Sequence, residues 1–449
     1  ENYSFGESYM SNFRSKMLDL GDNYAANSGG YKIGKIKEAG IKPSLHYIPS
    51  ATNSGVIRAI GKDRNKDLVF ARNSTATNVD EDDEIVSAGI DYPRVDFASG
   101  KGAFLFELKS TNSLLYSSEI DNAYYLKADC SVLPNTAISL DGVLNADSLI
   151  ESTTNSNHLI NKTSVSSTTT TKTVSVFAKA NTRDWVRLQT QSPSTSWVNF
   201  NLRTGAVGLT GGGSDSFKIE QYTNGWYRLS VTFTPTNPCG FQFFILDSDR
   251  GGSSPSYLGD GVSSVYMWGA QFEEEYYATS YIPTAGTTIT RTEDFASKTG
   301  LSSYINSQQG TFHFNGSFID SEYGSARVIS LSDGTNDNQI SIYNPGNSTS
   351  IAFYIALGGT VLLNSNSFQG DIFNSEFSAT VTYSNGSTKA YFNGVEIASS
   401  TTAAATFGVM DRLNFRNATT AQEFHGYLNE LLYCKEILTD AQISKLKGI

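Results

Sequence analysis

The sequence predicts a mainly β protein, with tandem antiparallel β-sandwiches behind a short N-terminal helical region. Charged residues make up only 17% of the 449, against roughly 25% in average soluble proteins, while Gly (39), Tyr (24) and Phe (26) are abundant. Short runs alternate between apolar and polar residues, and Gly- and Asn-containing turns bound them. Two such stretches follow one another, as fits a chain of this length at about 100 to 200 residues per domain.

The opening of the chain reads as helix, because Tyr9, Phe13, Met17 and Leu20 recur at helical spacing before Gly21. A second short helix is expected over Tyr31 to Ala39, stopped by Gly40 and followed by Pro43. Residues 1–65 are therefore assigned to an N-terminal helical or attachment region. From Asp67 the runs DLVFAR and PRVDFA announce β structure, which continues to about Arg291 and gives residues 66–295 as the first β segment. Within it SVSSTTTTKT reads as a loop leading into the strand TVSVFAKA. Between Pro283 and Gly300 the pattern loses its apolar period, and the boundary is placed there.

Residues 296–449 then offer about seven strands at the spacing of a two-sheet sandwich: GTFHFNGSF, ARVISLS, NQISIYN, SIAFYIAL, FSATVTYS, STKAYFNGVEI and RLNFRN. Asn385-Gly386 and Asn393-Gly394 supply the positive φ that tight hairpin turns demand. Near the end Thr439 or Asp440 can cap a short helix.

Charge excludes some partners. With 33 basic against 44 acidic side chains the net charge is -11, a field that repels nucleic acid and anionic lipid. No stretch reaches the roughly 18 apolar residues of a membrane span. The chain begins at Glu1 rather than at a Met, as a trimmed or processed piece would, which leaves a leader or an anchoring domain upstream open. Cys130, Cys239 and Cys434 form no CxxC pair, and His46, His158, His313 and His425 have no HxH or HExxH spacing, so no cofactor is implied and each His is expected to be structural.

Several motifs bear a resemblance. FARNSTATNVDEDDEIV from Phe70, then YPRVDF and ELKSTNSLLYSSEI, resemble in order and spacing a segment of virion proteins of tailed bacteriophages, especially phages of Bacteroidetes bacteria. SVFAKA, NGWYRLSVTFT, YLGDGVSSVYMWGAQFEEEYYATSYIPT and TITRTED continue the likeness, with Asn224 to Arg228 and Trp268 to Gln271 matching best. The resemblance covers Lys66 to Asp294. It departs from the pattern where YPRVDFASGKGAFLFE lacks a Cys-Pro and where SEIDNAYYLKA has Tyr in place of Trp. It implies a carbohydrate-binding-module-like, jelly-roll-like sandwich in a fibre or spike, on the head or tail of an extracellular virion, commonly as a homotrimer joined to other virion proteins through its N-terminal region. KAYFNGVEI and FHGYLNELLYCKEILTDAQISKL make the last segment similar to concanavalin-A-like or laminin-G-like domains, which host lectins, hydrolases and structural modules alike.

The residues offer little for catalysis. A glycanase needs paired carboxylates across the scissile bond. The Glu-x-Asp-x-x-Glu run of concanavalin-like hydrolases is missing from Gly310 to Ile449, and Glu119-Ile120-Asp121 is followed by Asn122. No GxSxG elbow or phosphate loop occurs. The acidic runs Asp80 to Glu84 and Glu273 to Glu275 are expected to be solvated faces, and Asp333 to Asn338 a polar turn, with calcium left open there.

Glycan recognition needs flat apolar surfaces for sugar rings and planar amides for their hydroxyls. Trp185 (RDWVRL) and Trp197 (TSWVNF) are the preferred platforms, each beside polar residues. Tyr343, Tyr354, Asn414 and Arg416 are the candidates in the last domain, whereas Trp226 and Trp268 are assigned to packing. The expected function is non-enzymatic binding of host surface polysaccharide. The alternatives are a virion decoration or connector without ligand, and a polysaccharide depolymerase.

Overall fold

A computed structural model describes residues 29–447 except 50–53, 192–195, 214–215, 237, 320–326, 347–349, 370–371, 374 and 419–421. The expected helix on Tyr9, Phe13, Met17 and Leu20 lies outside the described residues. The first described element, helix Gly29–Glu38, is closed by Gly40 at φ +69°. The Ile41 N–H reaches back to the Ile36 carbonyl, a left-handed glycine cap.

Two antiparallel β-sandwiches follow. One consists of two eight-stranded sheets and the other of two six-stranded sheets. The pairing cuts across the domain bounds expected from the sequence. Strands Leu68–Ala71, Arg94–Asp96 and Ala103–Phe106 join the strands of residues 296–449, and so does Leu45–Tyr47. The smaller sandwich, from Leu126–Ala128 to Ser264–Glu273, is thus inserted into the larger one. Alternation reveals that a segment is a strand, but antiparallel pairing is indifferent to sequence distance. Phe106 accordingly stacks on Phe415 at 4.8 Å between centroids, and Leu45 and Phe70 share a core with Phe312 and Leu413.

The larger sandwich also holds a strand absent from the sequence expectation, Thr360–Gln369, whose polar TVLLNSNSFQ carries no clean period. At the hairpin turns, Asn393 and Gly394 both take positive φ, +48° and +77°. At the other Asn-Gly pair only Gly386 does, at +79°. Thr439 caps the last helix, Asp440–Leu446, in a reciprocal capping box with Gln442. The core of the inserted sandwich packs Val186, Leu188, Val198 and Phe200 of one sheet against Val174, Leu229 and Met267 of the other. Trp226 and Trp268 are buried beside Phe177 and Tyr281, so both serve packing.

Between the sandwiches lies a buried ion network. Arg94 donates to Glu107 at 2.7 Å, to Ser280 Oγ at 2.8 Å, to the Thr77 carbonyl at 3.0 Å and to Asp294, which also accepts from Arg72 at 2.9 Å. Burial opposes ionisation of Glu107, but the Arg291 and Arg94 charges and donors from Ser280 overcome it and bring its pKa down to about 2.

The run Glu273 to Glu275 keeps only exposed Glu274 on the solvated face expected for it, and its other two carboxylates are a correction, one buried and one half-buried. It closes a strand at this junction, where Glu273 is buried and accepts from Ser110 at 2.7 Å, and Glu274 pairs with Lys172 at 2.8 Å. Burial and then the Glu273 charge push half-buried Glu275 up to about 8 from 4.5. A group raised in the folded state gives stability that is full below its unfolded pKa and lost as pH rises through the folded one. The urea midpoint is therefore expected to fall between about pH 4.5 and about pH 8, and Glu275→Gln to flatten that fall. An unchanged slope in the variant would remove Glu275 as its source.

Candidate functional site

The site is one face of the inserted sandwich. In strand Trp185–Gln191 the period of two points Val186 and Leu188 into the core and leaves Trp185, Arg187, Gln189 and Gln191 on the opposite face. Strand Trp197–Asn201 likewise turns Val198 and Phe200 inward and Trp197, Asn199 and Asn201 outward. Register then places residues of different strands side by side. Gln189 pairs with Trp197 on one side and with Gln242 on the other, and Gln242 pairs with Asn161, which pairs with Leu126 at the sheet edge. The result is a straight row perpendicular to the strands: Trp197, Gln189, Gln242, Asn161.

The row is hydrogen-bonded and not saturated. Gln189 Nε2 donates to Gln242 Oε1 at 3.0 Å, and Gln191 Nε2 donates to Asn161 Oδ1 at 2.9 Å across the strand of Gly240. Gln189 is 2% exposed, yet its Oε1 has no partner among the described residues. A buried amide oxygen without a donor costs about 1–3 kcal/mol, and the native exceptions call for a water or a ligand group to satisfy them. Gln242, Gln191 and Asn161 are only half-buried, so their amides can be reached from solvent.

Beside this row a second layer fixes the Trp197 end. Arg187, fully buried, donates to Asn199 Oδ1 at 2.8 Å and to the carbonyls of Gly252 and Arg250 at 2.5 Å each. Its guanidinium carbon stands 3.8 Å from the Trp197 ring centroid, a desolvated cation–π contact. Burial, against the pull of Asp249, lowers its pKa to about 10. Gly211 lies under the same ring: a Cβ there would come within 2.5 Å of Trp197 Cε2.

The structure thus brings Trp185 and Trp197 to one face but gives them different surroundings. Trp197 keeps 7% of its surface exposed, and Arg187 occupies a face of the ring that a sugar would need. Its indole is the wall that ends the row. Half-buried Trp185 packs toward Leu159, Phe244 and Leu246 and lies over Gly208 beside Asp249.

In the larger sandwich the four other candidates also share one face. Asn414 pairs with Ser330, Ser330 with Ser341, and Ser341 with Tyr354. Tyr343 is two residues along from Ser341, and Arg416 two along from Asn414 with its guanidinium 4.7 Å from the Phe295 centroid. Asn414 is buried, Tyr343 and Tyr354 are half-buried and Arg416 is exposed.

Other groups singled out in the sequence take structural places. All four His are buried, His46 against Glu430 at 2.7 Å. Glu119 and Asp121 lie in turns before the edge strand Leu126–Ala128. Asp333 Oδ1 accepts from the Thr335 N–H at 2.8 Å, and Asp80 Oδ1 from those of Asp82 and Glu84 at 3.0 and 2.9 Å, as in polar turns. Among the described residues no group of three or more His, Cys, Asp and Glu side chains is arranged to hold a metal ion.

No protein-family model matches this chain, and no curated protein does. Solved structures match parts of it. The Ruminococcus gnavus IT-sialidase CBM40 bound to α2,6-sialyllactose is 18% identical over 33% of this chain and 92% of its own, with a TM-score of 0.29. Domain 4 of a GH43 extracellular arabinanase from Geobacillus stearothermophilus, in complex with arabinotriose, is 16% identical over 35% and 73%, at 0.29. The NanB sialidase of Streptococcus pneumoniae is 17% identical over 33% and 26%, at 0.26.

Proposed function

We propose that this chain is a non-enzymatic glycan-binding component of a tailed-phage virion, a fibre or spike on head or tail that presents its sandwiches to host surface polysaccharide. The observation that carries the binding reading is the row Trp197, Gln189, Gln242, Asn161, with a buried acceptor at Gln189 Oε1 that finds no donor among the described residues. Planar amides held in register by a sheet present fixed donors and acceptors, which suits ring hydroxyls that offer both. The ordered sequence blocks from Lys66 to Asp294 support the virion setting.

Tyr343, Tyr354, Asn414 and Arg416 give the larger sandwich a second polar and aromatic face for the same polymer. Two faces on one chain, repeated in a homotrimer attached through its N-terminal region, would multiply weak single-site affinity through effective concentration. Sedimentation of the intact chain as a trimer is the expected result, and a monomer at micromolar concentration would count against it.

The binding reading is tested by incubating the chain with surface polysaccharides from a panel of Bacteroidetes hosts and following both species by gel filtration. Co-elution with unchanged polymer length is expected for at least one host. Shortening of the polymer would replace this reading by a depolymerase, and no co-elution on any host by a decoration without ligand.

A further inference from the structure

Beside the buried ion network, a cavity lies between the two sandwiches. One wall is the outer face of the inserted sandwich, on the sheet of strand Trp226–Phe233, where Phe177 pairs with Arg228 and Arg228 with Glu220. Their neighbours Val176 and Leu229 point the other way, into the core. The opposite wall is the outer face of the larger sandwich. There Leu105 pairs with Tyr427 and with Arg94, and Asp96 stands two residues along from Arg94, while Phe104, Phe106 and Leu428 turn into the core behind. Tyr277, in the bend after strand Ser264–Glu273, and Tyr222 complete the polar lining. The cavity measures about 130 Å³, room for about four waters at ~30 Å³ each, which is the scale of one small ring and not of a polymer segment.

The lining keeps hydrogen-bonding capacity to spare. Arg228 is only 4% exposed and donates to Ser175 Oγ at 3.0 Å, yet its Nε has no partner among the described residues. A buried donor of this kind calls for a water or a ligand group. Half-buried Tyr277 and Tyr427 make no hydrogen bond through their hydroxyls among the described residues. Asp96, also 4% exposed, accepts from the Val79 and Ala98 N–H groups at 2.9 and 3.0 Å, one at each oxygen, so each oxygen can take a second donor.

The charges point to a neutral guest. Glu107 is already matched by Arg94 at 2.7 Å, and Glu220 by Lys218 at 3.2 Å. Asp96 and Arg228 form no ion pair among the described residues, and they stand on opposite walls. Both act on the Tyr222 phenol, which burial pushes up and Arg228 pulls back. One carboxylate facing one guanidinium cancels in net charge while offering an acceptor and a donor.

We propose that this cavity is a second binding site, for a single neutral sugar ring. Ring hydroxyls donate to Asp96 and accept from the Arg228 guanidinium and the tyrosine hydroxyls, and the tyrosine rings offer flat apolar surface to its C–H face. The inference does not rest on the amide row. That row lies on the other sheet of the inserted sandwich, and the two sites share no residue.

The test titrates the full chain with the methyl α- and β-glycosides of glucose, galactose, mannose and rhamnose. At least one is expected to saturate it at one per chain, with a Kd of about 1 mM or tighter. Tyr277→Phe with Tyr427→Phe removes only hydroxyls that hold nothing in the fold, so the urea midpoint should stay in place while that affinity falls about tenfold or more. Gln189→Ala with Gln242→Ala is expected to leave glycoside binding unchanged. Saturation by none of the glycosides, or wild-type affinity in the tyrosine double variant, would overturn the site and leave a water-filled cavity. A loss confined to the amide double variant would overturn it too, by assigning the glycoside to the row.

Discussion

Replacing Arg94 with methionine is expected to lower unfolding stability by about 3–5 kcal/mol, because it leaves two buried carboxylates short of their countercharge. Arg94 is fully buried, and one guanidinium serves Glu107, Asp294, Ser280 and the Thr77 carbonyl. Glu107 would keep only Ser280 and the more distant Arg291, 3.6 Å away. Asp294 would keep Arg72 and the Glu107 N–H. Lysine is not a conservative replacement, since a single ammonium cannot divide between two carboxylates as the planar fork does. Urea unfolding measures the loss, and a change below about 1 kcal/mol would mean that the network is dispensable. The acid limb points the same way. Glu107, held down to about 2, gives stability that is present above its ordinary pKa of 4.5 and lost as pH falls toward 2.

The second large effect is on binding. Gln242→Ala removes both the acceptor for Gln189 Nε2 and a reachable amide at the centre of the row. Each lost hydrogen bond is worth about 0.5–1.5 kcal/mol, so Gln242→Ala should weaken polysaccharide binding roughly tenfold. Gln189→Ala with Gln242→Ala should weaken it about a hundredfold. Stability should move little in the double variant, which removes the acceptor that has no partner among the described residues, whereas Gln242→Ala alone leaves the buried Gln189 Nε2 without its acceptor and should cost about 1–3 kcal/mol. Titration against a co-eluting polysaccharide, with unfolding curves alongside, separates the two effects. Full affinity in the double variant would detach binding from the row.

Much of this was legible in the chain. Alternating runs and Asn-Gly turns announced antiparallel sheets, and Thr439-Asp440 announced the final cap without saying which of the two makes it, because these are local signals. Partnership between strands was not legible. Leu68–Ala71 looks like any alternating strand, and only the fold shows that it pairs with Phe295–Lys298, more than two hundred residues away. The site was half legible. Trp185 and Trp197 lie on the face proposed for binding, but attention to aromatics passed over the amides between them. WVRLQTQ held the signal, since its period of two sets Trp185, Arg187, Gln189 and Gln191 together against an apolar opposite side. Gln242, the one amide in CGFQFFIL, repeats it on the next strand. That Arg187 would cover Trp197 could not be read, because it depends on the Arg250 to Gly252 loop folding back over the sheet.

The account stands most directly on where a bound glycan lies. A crystal structure of the chain with the shortest oligosaccharide that binds it should show sugar along Trp197, Gln189, Gln242 and Asn161, with a hydroxyl donating to Gln189 Oε1. Sugar bound elsewhere, with Gln189 Oε1 still lacking a donor and the row untouched, would contradict it.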